Sequence, residues 1–138
     1  MGRRGAGGLA ATLEALNEAY RRLRTNIQFS RPDTVVETIL FTSPDKGEGK
    51  STTVANFALA MAQANRRTVI VDCDLRRPRQ HKIFNRDREP GLSNILFSAL
   101  PLDVEAFKTD IEDLYLIPAG LKVPQPTVSR HLKMLREQ

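Results

Sequence analysis

The sequence predicts an α/β domain in which helices flank a parallel sheet. The chain has 138 residues, of which 41% are hydrophobic and 27% charged, a composition that suits one globular domain and excludes collagen-like and low-complexity classes. Two short segments rich in β-branched residues, 35–41 and Thr68–Val71, enclose Lys50–Gln63, whose composition is helical. A strand, a helix and a second strand in this order form a right-handed parallel unit.

The N-terminal part predicts a tail followed by an amphipathic helix. Residues 1–8 are glycine-rich and are expected to form a flexible tail, because glycine loses more backbone freedom on ordering than other residues. Beyond them, apolar side chains recur every three or four residues on one helical stripe that ends near Gln28: Leu9, Leu13, Leu16, Tyr20, Leu23 and Ile27. Such a stripe must pack against another element, and Pro32 stops the helix beyond it.

Three further elements are expected in the second half of the chain. A turn at Pro90 and Gly91 precedes a short helix over residues 93–100. The acidic residues 103–113 predict another helix, and Leu114–Ile117 predicts a third buried strand.

The C-terminal residues 127–138 predict an amphipathic helix with Val128, Leu132 and Leu135 on its apolar face. The overlapping residues 125–137 also resemble the recognition helix of arsenic-repressor-type winged-helix regulators, so DNA reading is an alternative for this segment. The net charge of +5 would suit nucleic acid, acidic lipid headgroups or a nucleotide, but with six Phe, two Tyr and no Trp the chain is poor in stacking groups. The composition therefore argues against nucleic acid as a partner.

Cysteine and histidine usage indicates a reducing compartment and no metal cluster. Cys73 is the single cysteine, so no internal disulfide can form, and its side chain is expected in the core, opposite the flanking aspartates. His81 and His131 lack the spacing of metal ligands and are assigned no site. The sequence shows neither a signal-peptide pattern nor a membrane-spanning apolar window, and we expect a cytoplasmic protein.

The most informative motif is Ser-Pro-Asp-Lys-Gly-Glu-Gly-Lys-Ser-Thr, residues 43–52, between the first predicted strand and the next helix. Bound phosphates require converging backbone N–H groups, glycines that permit close approach, a helix N-terminus and a lysine. Pro44 stands where the strict pattern has its first glycine, so the loop is a degenerate phosphate-binding loop. We predict that the nucleotide contacts come from Asp45, Lys46, Gly47, Glu48, Gly49, Lys50, Ser51 and Thr52.

A second motif, Asp72-Cys73-Asp74, follows the strand Thr68–Val71. Ligands of open α/β sheets bind at the carboxyl ends of parallel strands, where both carboxylates are expected to lie. One carboxylate can accept a proton from an attacking hydroxyl while the other holds Mg²⁺ through water. Which aspartate performs which task stays open at this point.

Three separated motifs resemble the bacterial tyrosine kinases of capsule and exopolysaccharide synthesis, the BY-kinases. Residues 43–52 look like the family's Walker A motif, and residues 69–78 look like its Walker A′ motif. The E-x2-R-x2-R motif, through which the family self-associates, is matched by Glu18, Arg21 and Arg24. Two further segments, 91–93 and 116–120, also resemble the family.

The resemblance implies a P-loop NTPase core with a deviant, MinD/ParA-like Walker A motif over residues 9–126, and an autophosphorylating, ATP-dependent protein tyrosine kinase. It implies that Lys50 holds the β- and γ-phosphates and that Ser51 binds Mg²⁺. It further implies that Asp72 lies near the acceptor hydroxyl and that Asp74 supports the metal. Lys50, Asp72 and Asp74 are therefore the expected catalytic residues.

The resemblance also implies a homo-oligomeric ring, held by ion pairs of Glu18, Arg21 and Arg24 between subunits. In addition, it implies a membrane activator protein of the polysaccharide export system, through which the chain would associate with the membrane. The family's Walker B segment and tyrosine-rich tail are not found in the sequence, so we expect a chain truncated before Walker B, with an incomplete sheet.

Two alternatives remain. A partition-type ATPase of the ParA and MinD group shares the deviant Walker architecture, but its signature lysine would stand at Asp45, whereas this chain has its lysine at Lys46. A catalytically inactive nucleotide-binding or oligomerisation module is the other alternative.

Overall fold

The computed structural model describes residues 2–44, 49–98 and 101–122, with side chains from Gly8 onward. The elements along the chain are helix α1 (Gly2–Gln28), helix α2 (Lys50–Gln63), strand β1 (Thr68–Val71), helix α3 (Gln80–Ile83), helix α4 (Leu92–Ser98), a 3₁₀ helix (Val104–Phe107) and strand β2 (Leu114–Ile117). The predicted α/β class is confirmed, since the chain combines helices with a parallel sheet. The chain divides into two compact units, Met1–Thr68 and Val69–Gln138.

In the first unit, α1 packs against α2 through the C-terminal half of the predicted apolar stripe. Tyr20, Leu23 and Ile27 are half-buried, whereas Leu9 and Leu13 are 62% and 52% exposed. The helix ends at Gln28 as predicted but begins at Gly2, where a flexible tail was expected. Helix propagation costs much less free energy than nucleation, so a long amphipathic helix can extend into a glycine-rich N-terminal sequence of low helix propensity.

Helix α2 has the bounds that the sequence predicts, Lys50–Gln63. Its buried face consists of Phe57 and small residues: Ala55, Ala58, Ala60 and Ala62. Alanine allows close helix packing and has the highest intrinsic helix propensity. The ring of Phe57 lies 5.5 Å from that of Phe41, at an interplanar angle of 55°.

The prediction of a buried strand over residues 35–41 is wrong. Within the described chain this segment has neither helix nor strand, and Val35 and Leu40 are 73% and 84% exposed. A β-branched composition makes a segment compatible with a sheet, but a strand also needs a hydrogen-bonded neighbour. In the described residues the sheet consists of β1 and β2, and neither strand pairs with this segment; Phe41 contacts Phe57 instead.

The sheet consists of β1 and β2, and the predictions of these two strands are confirmed. All four residues of β2 are buried, whereas β1 buries Ile70 alone. Beyond the end of β1, the backbone N–H of Asp72 donates to the carbonyl oxygen of Ile117 at 3.0 Å. This pairing fixes the position of the carboxylate motif relative to β2.

The helix predicted over the acidic residues 103–113 is reduced to the 3₁₀ helix Val104–Phe107. The Asp103 carboxylate accepts the N–H of Glu105 at 3.2 Å at its start, and Asp113 adopts a left-handed conformation with φ 63° before β2. Aspartate competes with the helical backbone for hydrogen bonds and favours caps and turns. Helix α4 was expected over 93–100 and is observed as Leu92–Ser98. The predicted helix 127–138 lies outside the described residues.

Candidate functional site

The phosphate-binding segment enters α2 through Gly49, whose φ of 77° lies in the left-handed region. Glycine adopts this conformation without the steric cost that a Cβ atom imposes. The carbonyl oxygen of Gly49 accepts the N–H of Thr53 at 2.9 Å, the first hydrogen bond of the helix. The predicted contacts Asp45, Lys46, Gly47 and Glu48 lie outside the described residues.

Lys50, Ser51 and Thr52 form the first turn of α2. Lys50 and Ser51 are half-buried, and Thr52 is exposed. First-turn N–H groups have no partner within the helix and carry the positive end of its dipole. Because the first turn contains no acidic residue, nothing in this turn opposes an anion at the helix start.

The three residues of the expected self-association motif lie on α1 in two different environments. Glu18 and Arg21 are exposed and form an ion pair within the helix at 3.2 Å, and Arg22 approaches Glu18 at 3.8 Å. Arg24 is half-buried, and its Nη1 donates to the carbonyl oxygen of Ala60 in α2 at 2.6 Å. The motif therefore has an exposed part, Glu18 and Arg21, and a half-buried part, Arg24, that contacts α2.

The Asp72 carboxylate is 7% exposed and organises the loop that follows β1. Its Oδ1 accepts the N–H of Asp74 at 3.1 Å, and its Oδ2 accepts the N–H groups of Arg79 and Gln80, each at 3.1 Å. Backbone donors on both oxygens hold the carboxylate in one orientation. Asp72 thus joins the end of β1 to the start of α3.

Asp74 is half-buried and shapes a tight turn. Its Oδ1 accepts the N–H of Arg76 at 3.2 Å and that of Arg77 at 3.0 Å. This pattern is typical of an aspartate that closes a turn with its own side chain. Both hydrogen bonds described for this carboxylate are accepted by Oδ1.

The expectation that Cys73 belongs to the core is wrong, because the residue is exposed. Cys73 follows the last residue of β1, so the alternation of strand faces no longer determines where its side chain lies. Desolvation by the surrounding protein, and then the negative charge of Asp72, raise the pKa of the Cys73 thiol. A raised pKa disfavours the nucleophilic thiolate.

The segments 91–93 and 116–120, which resemble the family, contact each other. Their main chains pair through Leu92 N–H to Pro118 O at 2.7 Å and Ser93 N–H to Ala119 O at 2.9 Å. Arg88, which sequence reasoning missed, adds a further link, since its Nε donates to the carbonyl oxygen of Gly120 at 2.6 Å. An arginine in a basic sequence segment carries no pattern that would have identified this role.

The oxygen donors suit a magnesium ion. Within residues 2–44, 49–98 and 101–122, no group of three or more His, Cys, Asp or Glu side chains could hold a metal. Mg²⁺ does not require such a cage, because it keeps several waters and binds through one or two protein oxygens and substrate phosphates. The Ser51 hydroxyl in the first unit and the Asp74 carboxylate in the second unit are each hard oxygen donors of the type that Mg²⁺ binds.

None of the helices in the described part of the chain has the length and apolar character needed to cross a bilayer.

Comparison with known proteins agrees with the motifs. The family model of the CobQ/CobB/MinD/ParA nucleotide binding domain matches residues 39–135. The putative tyrosine-protein kinase CapB of Staphylococcus aureus is 36% identical over 112 residues, 81% of this chain and 49% of the relative. The tyrosine-protein kinase YwqD of Bacillus subtilis (strain 168) is 32% identical over 121 residues, 88% of this chain and 51% of the relative. The chain therefore spans about half the length of the curated relatives that it matches.

Among solved structures, the crystal structure of the chimerical protein CapA2B2 superposes with a TM-score of 0.72 at 41% identity. The superposition covers 87% of this chain and 54% of the other.

Proposed function

The chain belongs to the CobQ/CobB/MinD/ParA nucleotide-binding domain family, and from this membership we propose that it is the nucleotide-binding part of an ATP-dependent protein tyrosine kinase of capsule or exopolysaccharide synthesis. Its curated relatives are bacterial tyrosine-protein kinases, which supports the proposal. The observation that carries it is the entry into α2, where Gly49 in the left-handed region leads directly to Lys50 and Ser51. Residues 9–126 are the proposed extent of the nucleotide-binding domain.

In this proposal the phosphates of ATP bind at the first turn of α2. The Lys50 ammonium neutralises charge on the β- and γ-phosphates, and backbone amides of the turn donate hydrogen bonds. The Ser51 hydroxyl binds Mg²⁺. Residues 45–48 and Gly49 complete the phosphate-binding loop, and Thr52 adds a further nucleotide contact from the first turn of the helix.

The two aspartates have different tasks in the proposed phosphoryl transfer. The Asp72 carboxylate, fixed by Asp74, Arg79 and Gln80 amides, accepts the proton of the attacking tyrosine hydroxyl. The Asp74 carboxylate supports the metal, either directly or through water. When bound, Mg²⁺ supplies neutralisation of the charge that develops on the phosphoryl oxygens.

We also propose that the chain assembles into a homo-oligomeric ring through α1 and is stimulated by a membrane activator protein on the cytoplasmic side. Glu18 and Arg21 are exposed on α1, and so are the apolar side chains of Leu9 and Leu13. A helix with exposed apolar and charged groups supports a role in assembly. Light scattering on the wild type and Glu18→Ala tests this role, since the variant should lower the oligomer mass.

A partition-type ATPase is the second candidate, because the matching family includes MinD and ParA. The lysine at Lys46, with Asp45 at the position of the partition group's signature lysine, favours the kinase. A third candidate is a catalytically inactive nucleotide-binding or oligomerisation module, which the match to a nucleotide-binding family also allows. Phosphotyrosine formation separates the kinase from both.

Calorimetric titration of Mg²⁺-ATP into the 138-residue chain tests the proposal. The wild type should bind, and Lys50→Ala should weaken binding roughly tenfold or more, because a charged hydrogen bond contributes about 1.5–3 kcal/mol. Lys122→Ala, which removes an exposed lysine outside the proposed site, is the matched control and should bind like the wild type. A folded wild-type chain that does not bind Mg²⁺-ATP would contradict nucleotide binding by this chain.

A phosphotyrosine immunoblot with a tyrosine-containing acceptor peptide then tests transfer. Phosphotyrosine should form with the wild type and be lost with Lys50→Ala. Binding without phosphotyrosine would favour the module or the partition ATPase.

A further inference from the structure

The C-terminal end of α2 has a 3₁₀-type hydrogen-bonding pattern. The N–H of Ala64 donates to Met61 O at 3.1 Å, and the N–H of Asn65 donates to Ala62 O at 2.9 Å. The last turn therefore tightens to the i to i+3 pattern that is common at helix ends. As a result, the amide that would ordinarily bind the Ala60 carbonyl oxygen is engaged elsewhere.

Arg24 of α1 binds this carbonyl group. Its Nη1 donates to Ala60 O at 2.6 Å, a short and charge-assisted hydrogen bond. The last turn of α2 contains no basic residue of its own. The guanidinium thus places a positive charge at the negative end of the α2 dipole, where cations are stabilising.

The environment of Arg24 differs from that of its neighbours in sequence. Arg21 and Arg22 are exposed and directed to Glu18 on the same helix. Arg24 is half-buried, and Ala60 is only 4% exposed. Removal of the guanidinium would leave a buried carbonyl oxygen without its donor, which is more costly than the loss of a surface ion pair.

We propose that Arg24 is a positioning residue for the nucleotide site, which holds α2 against α1 and thereby fixes the first turn that carries Lys50 and Ser51. This inference rests on the proposed nucleotide binding. Helix α2 has 14 residues, short enough to move as a rigid rod. A release at its C-terminal end therefore displaces its N-terminal turn. The hydrogen bond of Arg24 to Ala60 lies within one subunit, so this role is separate from the contacts between subunits that the family resemblance assigns to Arg24.

The test compares Arg24→Met, Arg24→Lys and Arg21→Met in the 138-residue chain. Methionine keeps an apolar stem but has no donor, and lysine keeps a cationic donor. Arg21→Met is the matched control, because it removes the same charge from the same helix. Affinity for Mg²⁺-ATP is measured by calorimetry at a protein concentration and temperature at which light scattering reports folded monomers, so that a change in assembly cannot alter it.

We expect Arg24→Met to weaken Mg²⁺-ATP binding between about twofold and thirtyfold, the range that couplings through packed elements span. Arg24→Lys should restore most of the affinity, and Arg21→Met should bind like the wild type. If Arg24 contributes to helix packing but not to positioning, Arg24→Met will have a lower melting temperature and an unchanged Mg²⁺-ATP affinity at the temperature at which it is folded. That result would overturn the proposal.

The remaining outcomes are also decisive. If the wild type binds and Arg24→Met binds equally well, positioning by Arg24 is wrong while nucleotide binding stands. If the folded wild type does not bind, the proposed function fails and this inference fails with it. If Arg24→Met does not fold, Arg24→Lys decides: near-wild-type affinity supports the proposal, and a folded Arg24→Lys that no longer binds overturns it.

Discussion

The backbone N–H of Leu92 donates to the carbonyl oxygen of Pro118 at 2.7 Å, where the start of α4 meets the loop after β2. The adjacent Gly91 faces the same loop so closely that a Cβ atom would overlap backbone atoms of Pro118 and Gly120. Because these are main-chain atoms, they cannot move aside as a flexible side chain would. The backbone at Gly91 can therefore approach the loop after β2 this closely only because glycine has no Cβ atom.

Gly91→Ala should destabilise the protein by about 1–3 kcal/mol, the usual cost of an inserted methyl group that forces backbone shifts. The measurement is the free energy of unfolding from urea denaturation. Gly8→Ala is the matched control, since a Cβ at Gly8 meets nothing within 4 Å. This control should raise the stability by about 0.5–1 kcal/mol, because alanine is the better helix residue. Equal stabilities for Gly91→Ala and the wild type would show that the loop contact is looser than described.

Asp72→Asn should lower the free energy of unfolding more than Asp74→Asn. An asparagine at Asp72 replaces one oxygen with an NH₂ group, which then faces a backbone N–H, because both oxygens accept such donors. A buried donor without an acceptor costs about 1–3 kcal/mol. At Asp74 the two backbone donors share Oδ1, so the amide can keep its oxygen there.

Urea denaturation of both variants without nucleotide measures this difference. An Asp74→Asn variant that is as destabilised as Asp72→Asn would contradict the assignment of Asp72 as the structural anchor. The comparison also matters for kinetic work, because a loss of phosphotransfer in Asp72→Asn must be corrected for its lower stability.

The exposed segment 35–41 predicts unequal effects for two neighbouring apolar residues. Leu40 is 84% exposed, so Leu40→Ala should change the free energy of unfolding by less than about 0.5 kcal/mol. Phe41 is half-buried and its ring is tilted against that of the buried Phe57. Phe41→Ala should therefore cost roughly 2 kcal/mol, less than the roughly 3–5 kcal/mol for a fully buried phenylalanine. A large loss for Leu40→Ala would indicate that the segment is a buried strand after all.

Local sequence patterns predicted the elements that are stabilised by interactions between residues close in sequence. They failed where the structure of a segment depends on a partner that is distant in sequence. The bounds of helix α2 could be predicted from local residues, because Gly49 precedes the helix and alanines line its buried face. The segment 35–41 has strand composition, but composition does not specify a hydrogen-bonded neighbour. Likewise, the motif spacing identified Arg24 but could not separate it from Arg21, because only the packing of α1 on α2 turns one of them toward Ala60.

His81 should make the stability depend on pH in the mildly acidic range. Its pKa lies below the ordinary value of 6.5, mainly because burial disfavours the charged imidazolium and secondly because Arg88 and Lys82 repel it, with Asp72 opposing the shift. The unfolded chain therefore binds the proton more tightly than the folded protein does. The stabilisation is complete above pH 6.5 and is lost as the pH falls through the lowered pKa of the folded state.

The measurement is the free energy of unfolding of the wild type and His81→Gln at pH 7.5 and pH 5.5. Acidification should destabilise the wild type more than His81→Gln, and the two proteins should differ least at the higher pH. The Asp72 network must be intact in the variant, which the native-like stability at pH 7.5 would establish. An equal loss in both proteins would mean that His81 does not cause the acid destabilisation.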